Sequence, residues 1–461
     1  MNHYYYLKKA LELSELKEKE EEIEKFFSLI QIGASKLKAH IKAKSLIHIV
    51  SHLDADGLSS AGLIMNFLKK EKVPFIHTVL KQISENNIKT ILNSEAELFL
   101  FLDFGSQTKI IEDFYLSTKK DLLIIDHHHP KRETFVTNVN PYYSGLDGEL
   151  ISTAPLTYLL INLIRDFKDL VYLALVGAIG DMQENNGFKG LNKIILEEAI
   201  DNDVVEVKKG LNIYGINFLK LEDALFREKK LFNNYSEVQS FLKKLGLSNK
   251  NYYSLSQEEK EKLHKFLIDL IYLKGLNIED FFGNNYYLKN EDNIFLKDLK
   301  IYSTFLNACG RIGLYSIADG VMLNVKEYKS QVKEVLKKYR EEIMKALKWV
   351  EENKNDPEKI IEDENKLIIN AENNIKDTII GTVSSILINQ YNKNLVIGIS
   401  KDSKNSEEYK ISIRTKDNKV QELIKDFSEY GEFGGHQRAG GGKVKQAKII
   451  NFLNKIKKIK I

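Results

Sequence analysis

Three imidazoles follow one carboxylate in Asp126-His127-His128-His129, directly after the aliphatic run Leu-Leu-Ile-Ile at 122–125 and directly before Pro130. The aliphatics have the character of a short buried strand, and the proline ends its pairing. A parallel sheet places its chemistry outside the carboxyl ends of its strands. Carboxylate with imidazole is a ligand mixture suited to a divalent ion such as Mn²⁺ or Zn²⁺. A His-rich polar turn is the plain reading of such a run taken alone. Three other apolar segments alter that balance, because each also ends in acid: residues 45–50 run into His52-Leu53-Asp54-Ala55-Asp56-Gly57, residues 98–102 into Asp103, and residues 171–179 into Gly180-Asp181. Asp54 and Asp56 share a face if the strand's pleat continues, and two carboxylates side by side repel unless a cation sits between them. One such coincidence is ordinary; four point to a metal centre.

The scaffold must hold those side chains within a chain of 461 residues, long enough for two or three domains. Hydrophobic residues at 43% and charged residues at 29% describe a soluble globular protein. A net charge of +3 is too small to diagnose a nucleic-acid partner, so any basic site must be local. The lone Cys309 excludes an internal disulfide framework and suits a reducing cytoplasm. Residues 1–27, laced with Lys and Glu, resemble neither a signal peptide nor a membrane span. Abundant Lys and Glu fit a thermophile and fit a biased genome equally well.

The periodicity predicts an amphipathic helix over 11–32, then a strand over 44–50, with Gly57 permitting a turn into a helix that starts near Ser59. Helical stretches at 60–70 and 107–115 alternate with the strands at 98–102 and 122–125, which makes βαβ repetition and a parallel sheet. A further helix follows Thr153-Ala154-Pro155. Residues 190–302 carry Leu, Lys, Tyr and Phe at helical spacing, with a capping box at Ser256 and Glu259. They read as a helical insert packed on the core, with partner docking as the sharper alternative and His264 as a solvated helix residue. Val332, Leu336, Tyr339, Ile343, Leu347 and Val350 predict one long helix, ended by residues 353–357, which joins domains or forms a coiled coil with a partner. Strands at 366–370, 395–400 and 409–415 then alternate with helices at 382–388 and 420–427. The Gly-rich run at 431–442, around His436 and Arg438, reads as an ordered loop whose amides can crowd against an anion, followed by a terminal amphipathic helix.

Taken in order, His52-x-Asp54-x-Asp56-Gly57, Asp103, Asp126-His127-His128 and Gly180-Asp181 resemble the four motifs of the DHH phosphoesterase superfamily. The resemblance implies a two-metal centre, usually Mn²⁺ with Mg²⁺ as a substitute, that hydrolyses phosphate esters. Its ligands would be Asp54, Asp56, Asp103, His127 and Asp181, with Asp103 bridging the ions. His52 stands where relatives carry either Asp or His. His128 would lie near the phosphate and Asp126 would support it. Asn307-Ala308-Cys309-Gly310-Arg311 resembles a segment of the RecJ branch, in which Asn307 and Arg311 meet substrate and Gly310 lets the backbone approach a ligand. Gly434-Gly435-His436, with Arg438 and with Arg414 on the preceding strand, resembles the phosphate-contacting motif of the DHHA1 domain.

The implied fold is α/β: a parallel-sheet DHH domain over 1–324, with a helical insert at about 190–302, a connector helix over 325–357, and a smaller α/β DHHA1 domain over 358–461. The implied function is a metal-dependent exonuclease on single-stranded DNA or RNA, 5′-to-3′ favoured, in replication or repair, with the terminal domain holding the strand's end by its phosphates. Two other readings stand beside it. One is a nano-RNase or small-nucleotide phosphodiesterase acting on oligoribonucleotides or cyclic dinucleotides. The other is a catalytically dead replisome scaffold, although such scaffolds lose ligands and every motif position here is filled. An active nuclease can also dock on replisome proteins such as the GINS complex; no membrane partner is expected.

Overall fold

In the computed structural model, which describes residues 2–104, 108–213, 215–217, 219–403, 405, 407–417, 419–435 and 438–459, the unbroken aliphatic runs become interior strands. The chain divides into two units, residues 1–335 and 336–461. The first unit is built on a five-stranded sheet of β1 (Ile47–His52), β2 (Phe75–Leu80), β3 (Leu98–Leu102), β4 (Asp121–Ile125) and β5 (Asn138–Val139). The order is β2-β1-β3-β4-β5 and every pairing is parallel. β3 is buried along its whole length, as a strand covered on both faces must be. Ser51 pairs with Leu102, and Leu102 with Ile125, so β1, β3 and β4 end at one level. That register brings His52, Asp103 and Asp126 out side by side.

Several expectations are corrected here. The edge strands β2 and β5 were not foreseen: β2 is half exposed and β5 has only 2 residues, so neither shows a clean apolar run. The pleat of β1 ends at His52, and the next helix (Ala55–Glu71) starts at Ala55 rather than near Ser59. Asp54 is its N-cap and accepts a hydrogen bond from the Gly57 amide, so Asp54 and Asp56 lie on a helix start and not on a strand face. The apolar run before Asp181 is a helix (Val171–Gly180), unlike the three strand-borne runs. It is apolar all round because it packs against the helices Ala55–Glu71, Thr153–Ile164 and Leu299–Ile312. The N-terminal segment is two helices, Asn2–Glu12 and Glu20–Ala43, instead of one over 11–32.

The insert is more than a helical elaboration lying on the main core. Its helices Tyr235–Leu245 and Gln257–Leu273 gather Leu225, Phe232, Val238, Leu242, Leu263 and Leu267 into a core of their own. A two-stranded antiparallel sheet, β6 (Val205–Leu211) with β7 (Phe282–Leu288), frames them. The capping box is present in full: Ser256 accepts from the Glu259 amide and Glu259 from the Ser256 amide.

The expected long helix runs over Val332–Glu352. The second unit's sheet has β8 (Ile360–Glu362), β9 (Lys366–Asn370), β10 (Leu395–Lys401), β11 (Glu408–Thr415), β12 (Gly431–Gly435) and β13 (Ala439–Lys445), in the order β12-β13-β11-β10-β9-β8. β9 and β10 are parallel and the other pairs antiparallel. The Gly-rich run is therefore not a loop: most of it forms β12 and β13. Glycine is a poor strand former alone, but the ladder from β11 supplies pairing that composition does not reveal. Ile397, Ile411, Phe427, Phe433 and Phe452 form this unit's core. Among the described residues, no helix is long and apolar enough to cross a membrane.

Candidate metal centre

At the carboxyl ends of the sheet, Asp103 leaves β3 with φ +72°, a left-handed conformation that strains any side chain though Asp tolerates it better than most. This turn aims its buried carboxylate at the ends of β1 and β4. His52 Nδ1 lies 2.8 Å from Asp54 Oδ2 and 3.2 Å from Asp103 Oδ2. His127 Nε2 lies 2.7 Å from Asp181 Oδ2 and 3.9 Å from both Asp56 Oδ2 and Asp103 Oδ1. His128 Nδ1 is 3.4 Å from Asp103 Oδ1. Three sets emerge whose ligand atoms lie within 4.8 Å of one another: His52 with Asp54 and Asp103, Asp56 with His127 and Asp181, and Asp103 with His127 and His128. Asp103 belongs to two of them.

The donor chemistry fits a divalent ion of the Mn²⁺ or Mg²⁺ class, since carboxylate oxygens outnumber imidazoles in two of the three sets. Two buried atoms, His52 Nδ1 and Asp103 Oδ2, have no aligned hydrogen-bond partner among the described residues, although their neighbours are close. Buried polar atoms that converge without aligned partners are what a cation site offers. His127 Nδ1 donates to the Gly148 carbonyl at 3.0 Å, which turns Nε2 towards the carboxylates as in metal-bound imidazoles. Gly148 must lack a side chain, because a Cβ there would meet the His127 carbonyl oxygen at 2.0 Å.

The carboxylates are propped from outside the ligand sets. Asp56, fully buried, accepts from Ser152 Oγ at 2.9 Å and from the Thr153 and Ala154 amides at 2.7 and 2.9 Å. These donors are the start of the Thr153–Ile164 helix, a natural seat for an anion. Thr153 Oγ1 also donates to Asp103 Oδ1 at 3.0 Å. Residues 152–154 were legible only as a helix start, and their part in the centre was missed. Asp126 is not a ligand in any set. Its Oδ1 lies 2.9 Å from His128 Nδ1, and its Oδ2 accepts from the His128 amide at 2.9 Å and from Asn140 Nδ2 at 3.1 Å. Asp126 orients His128, with Asn140 as a further, unforeseen support.

The electrostatics follow from so many acids in so dry a place. Burial pushes the Asp56 and Asp103 carboxyls up, and Asp181 and Asp103 beside the first and Asp54 beside the second push them further. Burial pulls the His52 and His127 imidazoles down, yet the surrounding aspartates hold both well above their ordinary 6.5. His128 is likewise opposed by burial but pushed up to about 9 by Asp126 and Asp103. Asp54 is held low against burial by His52, the Gly57 amide and the Arg311 charge. Without a cation the centre retains protons to balance its charge, and a cation would displace them.

The residues expected to meet substrate are placed differently. Asn307 and Gly310 lie on the helix Leu299–Ile312. Asn307 Oδ1 accepts from the Ala55 amide at 3.2 Å, and a Cβ on Gly310 would sit 1.6 Å from the Leu53 carbonyl oxygen. Gly310 thus serves a close approach to the chain between β1 and its helix. Arg311, half-buried at the helix's last turn, brings its charge to bear on Asp54. In the second unit, Arg414 on β11 donates to Ser385 Oγ at 2.7 Å and to the Ile413 and Gly440 carbonyls at 2.8 and 3.2 Å. Gly434, Gly435 and Arg438 are exposed, with open space at Gly434. His436 lies outside the described residues.

Residues 46–177 match the model of the DHH family, N-terminal domain, and residues 364–460 that of the DHHA1 domain. An uncharacterized protein of Methanocaldococcus jannaschii is 28% identical over 452 residues, covering 92% of this chain and 96% of that one. RecJ of Thermus thermophilus, solved in complex with Mn²⁺, superposes with a TM-score of 0.59 at 15% identity over 92% of this chain. This chain spans about half of that protein's length, 53%. CDC45 of Entamoeba histolytica superposes at 0.61 with 12% identity, covering 93% of this chain and 97% of that one. At such identities the likeness to the solved structures is one of fold.

Proposed function

We propose that this chain, which belongs to the DHH superfamily and carries a DHHA1 domain on a RecJ-like fold, is a metal-dependent exonuclease on single-stranded DNA or RNA. The observation that supports this reading best is the sharing of Asp103 between two ligand sets, the arrangement a two-ion phosphodiesterase needs. His52, Asp54 and Asp103 would hold one Mn²⁺, and Asp56, His127 and Asp181 the other, with Asp103, which also shares a set with His127, common to both and Mg²⁺ as a substitute. When bound, the pair supplies Lewis acidity and a hydroxide from water near neutral pH.

The chain's own residues do the rest. The helix start at residues 152–154 keeps Asp56 and Asp103 aimed at shared ground. His128, oriented by Asp126, stands beside Asp103 where its imidazole can meet a phosphate oxygen. Arg311 adds a planar fork for the same phosphate, and Asn307 holds the chain segment that carries Asp54 and Asp56. In the second unit, Arg414, Gly434, Gly435, His436 and Arg438 would bind flanking phosphates, with the helix Val332–Glu352 as connector. Digestion from the 5′ end, in replication or repair, is the version we favour.

Oligonucleotides of DNA and RNA, labelled at the 5′ or 3′ end and presented single- or double-stranded with Mn²⁺, test this directly. Stepwise release of nucleotides from single strands alone is expected, and the label released first reports polarity. Hydrolysis confined to dinucleotides or cyclic dinucleotides would replace this reading with the small-nucleotide one. No hydrolysis of any substrate with Mn²⁺ or Mg²⁺ would favour a scaffold, against which the complete set of ligand positions stands.

A further inference from the structure

The insert contains a recess that shares no residue with the metal centre. It lies among β6, β7 and the helix Gln257–Leu273, with a volume of about 650 Å³, the size of a small-ligand site. Four of its lining side chains are aromatic (Tyr252, Tyr253, Tyr287 and His264), and Lys208, Lys209, Lys260 and Lys297 stand around them. His264, expected to be a solvated helix residue, is half-buried and stacked: its ring lies 5.9 Å from that of Tyr252 with an interplanar angle of 17°. Its Nε2 is 2.8 Å from the Tyr252 hydroxyl, and Phe282 meets it edge-on at 5.4 Å. These contacts hold the Tyr252 ring in one orientation before any ligand arrives. Lys260 Nζ lies 5.2 Å from the centre of the Tyr252 ring and Lys208 Nζ 5.9 Å from that of Tyr287.

The charges are not balanced on site. Among the described residues, Lys260 and Lys297 have no ion-pair partner, while Lys208 pairs with Glu206 at 2.8 Å. The buried acid of the recess, Asp298, is already occupied as a helix N-cap, accepting from the Lys300 and Ile301 amides and from Asn217. Fixed aromatic faces beside ammonium groups without counterions complement a ligand that is flat at one end and anionic at the other. An acidic peptide would satisfy the lysines and leave the rings unused.

We propose that this recess binds one nucleotide of a single strand, with the base against the Tyr252 and Tyr287 rings and the phosphate between Lys260 and Lys297. The assignment of the strand as the natural ligand rests on the exonuclease reading; the nucleotide chemistry does not.

The full chain in chelator, so that nothing is hydrolysed, is titrated with adenosine 5′-monophosphate by equilibrium dialysis and with a labelled 20-nucleotide oligo-uridine by anisotropy. Wild type should bind both. Lys260→Glu with Lys297→Glu, and separately Tyr252→Ala, should weaken both by about tenfold or more, as loss of a stacking or phosphate contact does. Tyr252→Phe, which keeps the ring and loses only the hydroxyl contact with His264, should retain most of the binding that Tyr252→Ala loses. If wild type binds neither probe, or the recess variants bind both as wild type does, the proposal is overturned. Equal displacement of the nucleotide by inorganic phosphate or by oligo-glutamate would also overturn it, by reducing the recess to a patch of charge. If mononucleotide binding depends on the recess while no oligonucleotide is cut with Mn²⁺, the exonuclease reading fails and the recess stands. If oligonucleotides are cut but binding ignores the recess variants, the reverse holds.

Discussion

At the carboxyl ends of β1, β3 and β4, four aspartates and three histidines crowd together, whereas along β6 and β7 lysines are spread around tyrosine rings. Asp56, Asp103 and His127 of the first group are buried and its other members half-buried, while none of the lysines and tyrosines of the second is buried. Like charges in a dry site must be propped by donors and relieved by a cation, so the metal centre recruits a helix start, a backbone carbonyl and a strained aspartate. Lysines at a wet surface are screened by water and need no such support. The metal centre should therefore fail as a unit when one piece is removed. The insert should respond by degrees.

Asp103→Asn is the largest expected effect. Both ligand sets that contain Asp103 lose a charge at once, so hydrolysis should fall by about a thousandfold or more. Calorimetric titration should find fewer than two Mn²⁺ bound. Two ions bound with near-normal turnover would break the comparison at its root.

Gly148→Ala comes next. The new Cβ would collide with the His127 carbonyl, 2.0 Å away, and disturb the hydrogen bond that orients the imidazole. Mn²⁺ affinity and activity should drop by about ten- to a hundredfold. Partial rescue by excess Mn²⁺ is the signature of a misplaced ligand, and absence of any change would show that the carbonyl does not position His127.

The pH dependence of stability is a smaller effect with a definite sign. His128 holds its proton up to about 9 in the folded chain and to about 6.5 unfolded, and His52 and His127 are shifted the same way. Over that window the folded state binds more protons, so the metal-free protein should lose stability as pH rises from 6.5 to 9. A fall in Tm on the order of a few degrees is expected by thermal unfolding in chelator. Saturating Mn²⁺ should flatten or reverse the slope, because the ion takes the protons' place. A metal-free Tm that climbs through this window would contradict the arrangement.

Ser256→Ala should show the mildest response. It removes half of the capping box on the insert's long helix, a loss of about 1 kcal/mol confined to a region with its own core. Hydrogen exchange should quicken in the insert while Mn²⁺-dependent hydrolysis of a dinucleotide stays at the wild-type rate. A large loss of activity would mean that insert and metal centre are one cooperative body, which their separate cores argue against.

Much of the centre was legible because its ligands sit where apolar runs stop. A run of aliphatics ending in acid is visible in one dimension, and His52, Asp54, Asp56, Asp103, His127 and Asp181, the candidate ligands that the fold brings together, were singled out that way, with the family resemblance suggesting their roles. The props were not legible. Thr153 and Gly148 are 50 and 21 residues from the groups they serve, and nothing in a Ser-Thr pair or a lone glycine announces such a partner. The edges of the first sheet escaped for a related reason: β2 and β5 are recruited by the neighbours β1 and β4 rather than by their own hydrophobicity. Glycines in β13 become a strand only because β11 lies alongside.

By itself, the sequence determined the apolar runs and helical segments, the acids at their ends, the long helix over 332–352 and the alternation of the final domain, since each is a local pattern of side-chain size and polarity. Tertiary structure alone decided the rest. The in-phase endings of β1, β3 and β4 set which acids face one another, and a one-residue slip in any pairing would have sent them apart. Likewise the recess in the insert exists only where β6 and β7, more than 70 residues apart in the chain, close on a helix lying between them in sequence. Register and long-range closure depend on contacts between distant segments, and no local pattern of residues encodes them.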